Sequence, residues 1–100
     1  MTGDIISDYA WDGSQGWTEK QWKKWTTPLE KKNLNYMYLF GNHDTEQDLS
    51  RDMVALMDSK NDLSLTEVGP ENIDGTTNYF HPVYDKDGKK KLFYVWIFDT

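Results

Sequence analysis

The chain has no cysteine. Disulfides, thiolate metal sites and cysteine nucleophiles are therefore excluded. No apolar run approaches the about 20 residues that cross a bilayer, and the amino terminus lacks the basic-then-apolar pattern of a secretory signal. No Asn has Ser or Thr two positions on, so the usual glycosylation acceptor is missing. Positive charge is also short: 11 Lys and Arg stand against 17 Asp and Glu, a formal net charge of −6. That balance speaks against nucleic acid as a partner, because a binder of phosphate backbones carries a basic face. The single basic cluster, Lys89-Lys90-Lys91, follows Asp87-Gly88 and reads as a solvated turn. These absences lean toward a soluble, cytoplasmic protein with no membrane segment.

What is present argues for a folded chain. Aromatic residues make up 15% of the 100 positions and occur in continuous apolar runs, despite 28% charged residues. The length allows one small domain, 1–100, with a modest core. Thr18 and Gln21 form a capping-box pattern ahead of Trp22, Trp25 and Leu29 at helical spacing. Glu19, Lys20, Lys23 and Lys24 are left for solvent, and Pro28 should kink or restart the helix. Tyr36 to Phe40 reads as a buried strand, and a second helix is expected from about Gln47 to Ser59 with Leu49, Met53, Leu56 and Met57 as its apolar stripe. Leu63 to Val68 alternates like a half-buried strand. Asn78 to Tyr84 and Lys91 to Phe98 flank the turn Asp85-Lys86-Asp87-Gly88, predicting an antiparallel hairpin. Leu92 to Phe98 is apolar on both faces, as suits a strand buried within a sheet, and Met1-Thr2-Gly3-Asp4-Ile5 reads as the tail of a strand and its loop. The expectation is an α/β chain, α+β-like in its hairpin, from the middle of a larger domain whose remainder lies upstream and downstream.

The chemistry concentrates in Gly41-Asn42-His43-Asp44, directly after the apolar run ending at Phe40. A loop at the carboxyl end of a strand presents side chains to a crevice from a rigid rail. Gly3-Asp4 repeats the device with a glycine and a carboxylate. Two-metal phosphoester hydrolysis calls for a bridging carboxylate, neutral ligands and a donor beside the phosphoryl group. Asp4 has two oxygens for bridging, Asn42 a neutral amide oxygen, and His43 a ring able to donate to phosphate or to a leaving oxygen. Asp44 would hold that ring through its other nitrogen. The same residues read equally as a polar turn whose side chains bond local backbone, and Gly-Asp alone marks turns generally.

Gly3-Asp4 followed by Gly41-Asn42-His43-Asp44 resembles the second and third motifs, GD and GNHD, of the calcineurin-like metallophosphoesterase superfamily. Pro28-Leu29, Leu49-Ser50-Arg51, Leu63-Ser64-Leu65, the stretch Val68 to Gly75, and Asn78-Tyr79 extend the likeness to its purple-acid-phosphatase-related branch over essentially the whole chain. The resemblance implies the central part of a four-layer α/β/β/α sandwich. It also implies two divalent metal ions of Mn, Zn or Fe type, and a phosphorylated small molecule or phosphoprotein as substrate. By that likeness Asp4 bridges the metals, Asn42 binds one, and His43, supported by Asp44, assists at the phosphate. A non-catalytic remnant or interaction module keeping the same fold is the alternative.

The departures are as specific. The family's earlier Asp-x-His motif and its later Gly-His-x-His motif do not occur in this sequence, so the donors held here are about half a set. His81 precedes Pro82 and reads as a structural or surface histidine. The tyrosine that colours purple enzymes would fall at Ser7, and Tyr9 is off register. Asp8 and Asp12 read as solvated loop carboxylates, and Trp11 and Trp17 as packing residues.

Overall fold

A computed structural model describes residues 3–99; Met1, Thr2 and Thr100, and with them the first residue of Thr2-Gly3-Asp4, lie outside the described residues. The elements are a 3₁₀ turn at Asp8–Ala10, helix α1 (Trp17–Lys31), helix α2 (Arg51–Ser59), and strands β1 (Tyr79–Tyr84) and β2 (Lys91–Ile97). This is the mixed α and β composition expected. The Cα trace measures 47 × 36 × 19 Å, and its short dimension accommodates two layers at the ordinary spacing of about 10 Å.

Helix α1 buries Thr18, Trp22 and Thr26 and half-buries Trp25 and Leu29, while Glu19, Lys20, Lys23 and Lys24 are exposed, as the spacing predicts. Its start is a correction. The N-cap lies two residues earlier, at Gly16 with φ 80°, and no side chain of the expected capping box closes the helix. Asp48, brought from another loop, accepts from the backbone N–H of Gly16 at 2.8 Å and of Thr18 at 3.0 Å, and from the Thr18 hydroxyl at 2.5 Å. A tertiary carboxylate satisfies the orphan donors that a local cap would have taken. Pro28 does not restart α1, which runs unbroken to Lys31. Proline falls within the last turn, so few helical residues remain beyond it to be disrupted.

Helix α2 is shorter than expected and turned differently. Ser50 caps it by accepting from Met53 N at 3.3 Å, so the helix starts at Arg51 rather than near Gln47. Its buried face is Val54, Ala55 and Asp58; Leu49 and Met57 are partly buried, but Met53 and Leu56 are exposed. Asp58 decides the rotation. Its Oδ1 accepts from Trp22 Nε1 at 2.8 Å and Tyr36 OH at 2.7 Å, and its Oδ2 from Ser64 Oγ at 2.7 Å. A buried carboxylate satisfied by three donors outweighs the burial of two flexible apolar side chains.

The segments 36–40 and 63–68 run parallel but are not regular strands. One bridge, Tyr36 with Ser64, joins them, through Tyr36 N to Leu63 O at 3.1 Å and Leu65 N to Tyr36 O at 2.7 Å. The ladder then breaks because Tyr38 N donates to the Thr66 hydroxyl at 3.0 Å instead of to a backbone carbonyl. The inward alternation still holds, with Tyr36, Tyr38 and Phe40 buried. Tyr38 meets Trp22 edge-on at 4.6 Å between ring centres, and Tyr36 meets Trp25 at 5.2 Å. Such pairs each add about 1 kcal/mol beyond simple burial. Ile6, Trp22, Tyr38, Phe40, Val54 and Ala55 form the core between α1, α2 and this segment.

The hairpin forms as expected, with Tyr79 opposite Ile97, His81 opposite Val95 and an irregularity at Val83–Tyr84. Gly88, at φ 71°, closes its turn, and Lys89, Lys90 and Lys91 are exposed. Strand β2 is not buried, contrary to expectation. Leu92, Phe93, Tyr94, Trp96 and Phe98 are all exposed, because among the described residues β2 pairs with β1 alone in a two-stranded sheet. The accessible surface, 6824 Å², exceeds the about 5,900 Å² usual for a chain of this mass. Among the described residues no helix is long and apolar enough to cross a membrane.

Candidate active site

The Gly3-Asp4 and Gly41–Asp44 loops lie against each other, backbone to backbone. A Cβ on Gly3 would overlap the Gly41 nitrogen, and one on Gly41 would overlap the Asp4 carboxylate and amide nitrogen. Glycine at both positions is therefore a steric requirement of this approach. Asp4 sits at φ 60°, a left-handed conformation that Asp tolerates better than most residues.

Asp44 makes the junction. It is fully buried, and its Oδ2 accepts from the N–H of Asp4 at 2.7 Å and of Gly41 at 2.8 Å, while Oδ1 accepts from those of Ile5 at 2.9 Å and Ile6 at 3.2 Å. Four backbone donors thus occupy both oxygens; Gly41 is the local partner that the polar-turn reading expects, and the other three come from the Gly3-Asp4 loop, far away in sequence. The expectation that Asp44 holds the His43 ring is corrected: the carboxylate on His43 Nδ1 is Glu46, with Oε2 at 2.8 Å. Burial first, and then the neighbouring Asp44 carboxylate, push the Tyr38 hydroxyl above the ordinary tyrosine range.

The other three predicted residues meet on the outer side of the junction. Asp4 Oδ1 accepts from His43 N–H at 2.9 Å, and Asn42 Nδ2 lies 3.1 Å from His43 Nε2. Asp4 and Asn42 are exposed and His43 half-buried, so their functional atoms face outward while Asp44 anchors them from within. Asp4 and Asn42 supply one anionic and one neutral oxygen, a donor chemistry suited to hard or borderline divalent ions. Among the described residues no three of His, Asp and Glu are grouped to hold a metal ion. The pair fits part of a coordination shell and not a whole one.

Arg51 was missed as a site neighbour, since nothing in the spacing of its helix marks it. Its guanidinium bonds buried Asp99 at 2.6 Å, reaches the Gly41 carbonyl at 3.4 Å and lies 5.0 Å from the centre of the Phe40 ring. Asp99 in turn accepts from the N–H of Thr76 at 2.7 Å and of Thr77 at 3.2 Å. The GNHD loop is thereby tied to the residues just beyond β2.

The remaining candidates keep to local roles. His81 places Nδ1 2.8 Å from the Pro82 carbonyl. Asp12 accepts from Ser14 N at 2.9 Å and Oγ at 2.5 Å, and these bonds hold its carboxyl below the usual range. Trp11 Nε1 donates to Ser14 O at 3.0 Å, and Trp17 packs on the core. The side chain of Asp8 lies outside the described structure. Comparison of the chain with protein-family models, curated proteins and solved structures finds no match.

Proposed function

We propose that this chain carries part of the active site of a metal-dependent phosphoesterase that hydrolyses phosphomonoesters of a small molecule or phosphoprotein. The observation that carries the reading is the contact of the two motif loops, in which Asp4 Oδ1 accepts from the backbone N–H of His43, beside Asn42. Two divalent ions of Mn, Zn or Fe type, when bound, supply a water of lowered pKa and neutralise phosphate charge. Asp4 and Asn42 would hold them, with the other ligands coming from outside the described residues. His43 offers a ring nitrogen to the phosphate or the departing oxygen, and Asp44 keeps the loops in register. The complete domain in this reading is the four-layer sandwich, and the uncovered aromatics of β2 are the surface its further layers would cover.

A second reading, a non-catalytic interaction module, is favoured by that same aromatic surface together with the partial donor set. Manganese-stimulated hydrolysis of an aryl phosphate separates the two, comparing this chain, a version extended at both ends, and the extended Asp4→Asn variant. The phosphoesterase reading expects turnover in the extended form alone and its loss on substitution. No turnover from folded, metal-loaded extended protein would leave the interaction module.

A further inference from the structure

The His43 imidazole is held at both ring nitrogens by side chains of its own loop. Nδ1 lies 2.8 Å from Glu46 Oε2, and Nε2 lies 3.1 Å from Asn42 Nδ2. An ionised carboxylate only accepts hydrogen bonds, and an amide nitrogen only donates. The two contacts together select one neutral tautomer, with the proton on Nδ1 and the lone pair on Nε2. The main chain of His43 is fixed separately: its N–H donates to Asp4 Oδ1 at 2.9 Å, and its carbonyl accepts from Gln47 Nε2 at 2.9 Å. With the backbone pinned on both sides, the orientation of the ring is set by its side-chain partners.

We propose that Glu46 is a positioning residue of this site, which orients the His43 ring and fixes its tautomer. The proposal builds on the phosphoesterase reading: Glu46 accepts at Nδ1 whether the ring is neutral or doubly protonated, and Nε2, a donor only in the doubly protonated ring, is then the nitrogen that can leave Asn42 for the phosphate or departing oxygen. Asp44, to which that role would otherwise fall, has both oxygens occupied by backbone amides. Glu46 and His43 are 39% and 40% exposed in their side chains, so charge attraction alone contributes little. The contribution of Glu46 is directional: it accepts at Nδ1 while Asn42 donates at Nε2. Turning the Asn42 nitrogen to the ring also leaves its amide oxygen outside that contact, the atom the metal reading requires.

Long-range ¹H–¹⁵N NMR of the imidazole nitrogens tests this on the chain itself, at about pH 8 so that an ordinary histidine is neutral. The sequence holds 2 histidines, and a His81→Gln variant assigns their signals. The wild type should show His43 protonated at Nδ1, Glu46→Gln should keep that form through its amide oxygen, and Glu46→Ala should move His43 toward the Nε2–H form that free histidine favours. An unchanged tautomer in Glu46→Ala, or an Nε2–H wild type, overturns the assignment. In the extended, manganese-loaded protein, Glu46→Ala should lower kcat about tenfold or more with KM little changed, and Glu46→Gln should restore it. Hydrolysis that depends on Asp4 but ignores Glu46→Ala would refute the positioning role and keep the phosphoesterase reading. A tautomer shift without any Asp4-dependent hydrolysis would refute the phosphoesterase reading and keep Glu46 as the group that orients the ring.

Discussion

Asp44 accepts a hydrogen bond of 2.7 Å from the backbone N–H of Asp4, 40 residues earlier in the chain. That bond holds Asp4 in its left-handed conformation and sets the first motif loop against the second. The carboxylate beneath the site is a buried brace, and the chemistry-bearing atoms of Asp4, Asn42 and His43 are arrayed above it.

Replacing Asp44 with Asn tests the brace. Each carboxylate oxygen serves two backbone N–H groups, Asp4 and Gly41 on Oδ2, Ile5 and Ile6 on Oδ1. An amide has one oxygen, so either orientation sets its NH₂ against two donors and leaves them unsatisfied. Hydrogen bonds to a charged group are worth about 2 kcal/mol each, and a buried orphan donor adds its desolvation cost. Asp44→Asn should lower stability by about 3 kcal/mol or more in urea unfolding. A midpoint unchanged from wild type would show that Asp44 is not the brace.

The glycine contact gives a steric test. An added methyl at Gly3 meets the backbone of Gly41, and one at Gly41 meets both the carboxylate and the amide nitrogen of Asp4. Overpacking against groups that cannot retreat costs about 1–3 kcal/mol. Gly3→Ala and Gly41→Ala should each destabilise the chain by that amount and shift the amide resonances of Asp4 and His43. Retention of both resonances would show that the loops do not meet closely.

The sequence made some of this visible and hid the rest for physical reasons. The inward-facing stripe Trp22, Trp25 and Leu29 and the Asp85–Gly88 turn were legible because helix periodicity and turn chemistry are local. The pairing of GD with GNHD was legible only as a motif order, and the interlocked glycines give that order its geometry. Three aspartates were misread or overlooked. Asp44, Asp48 and Asp58 are all acceptors for groups distant in sequence, and no local pattern announces such partners. The capping box at Thr18 lost to Asp48, and the Met53–Leu56 stripe lost to Asp58. Strand β2 carries the pattern of a buried strand without cover from any described element.

Asp58 offers the test of that second override. It is 2% exposed and collects the Trp22 indole, the Tyr36 hydroxyl and the Ser64 hydroxyl. Burial first, then the Asp58 carboxylate, raise the Tyr36 hydroxyl above the ordinary tyrosine range. Asp58→Ala should cost about 3 kcal/mol through orphaned donors, and the double-mutant cycle with Trp22→Phe should show a coupling of about 1–2 kcal/mol. Additive single effects in thermal or urea unfolding would mean that the two residues stabilise the fold independently.

Asp48 predicts a pH dependence at the start of α1. Desolvation acts to raise its pKa, but hydrogen bonds from the Thr18 hydroxyl, Thr18 N–H and Gly16 N–H outweigh it and hold the carboxyl below its ordinary value. A carboxylate depressed in the folded state contributes stability that is fully present above its unfolded value of about 3.9 and is lost as pH falls through the folded value. Asp48→Asn should therefore be less stable than wild type at pH 7, by about 1 kcal/mol, the size of a lost helix cap. That difference should shrink as pH drops below about 4, because acid removes from the wild type the same charge that the substitution removes. Paired unfolding curves at neutral and acid pH measure it directly. A deficit that stays constant down to acid pH would assign the loss to packing and remove the charged cap from the account of how α1 begins.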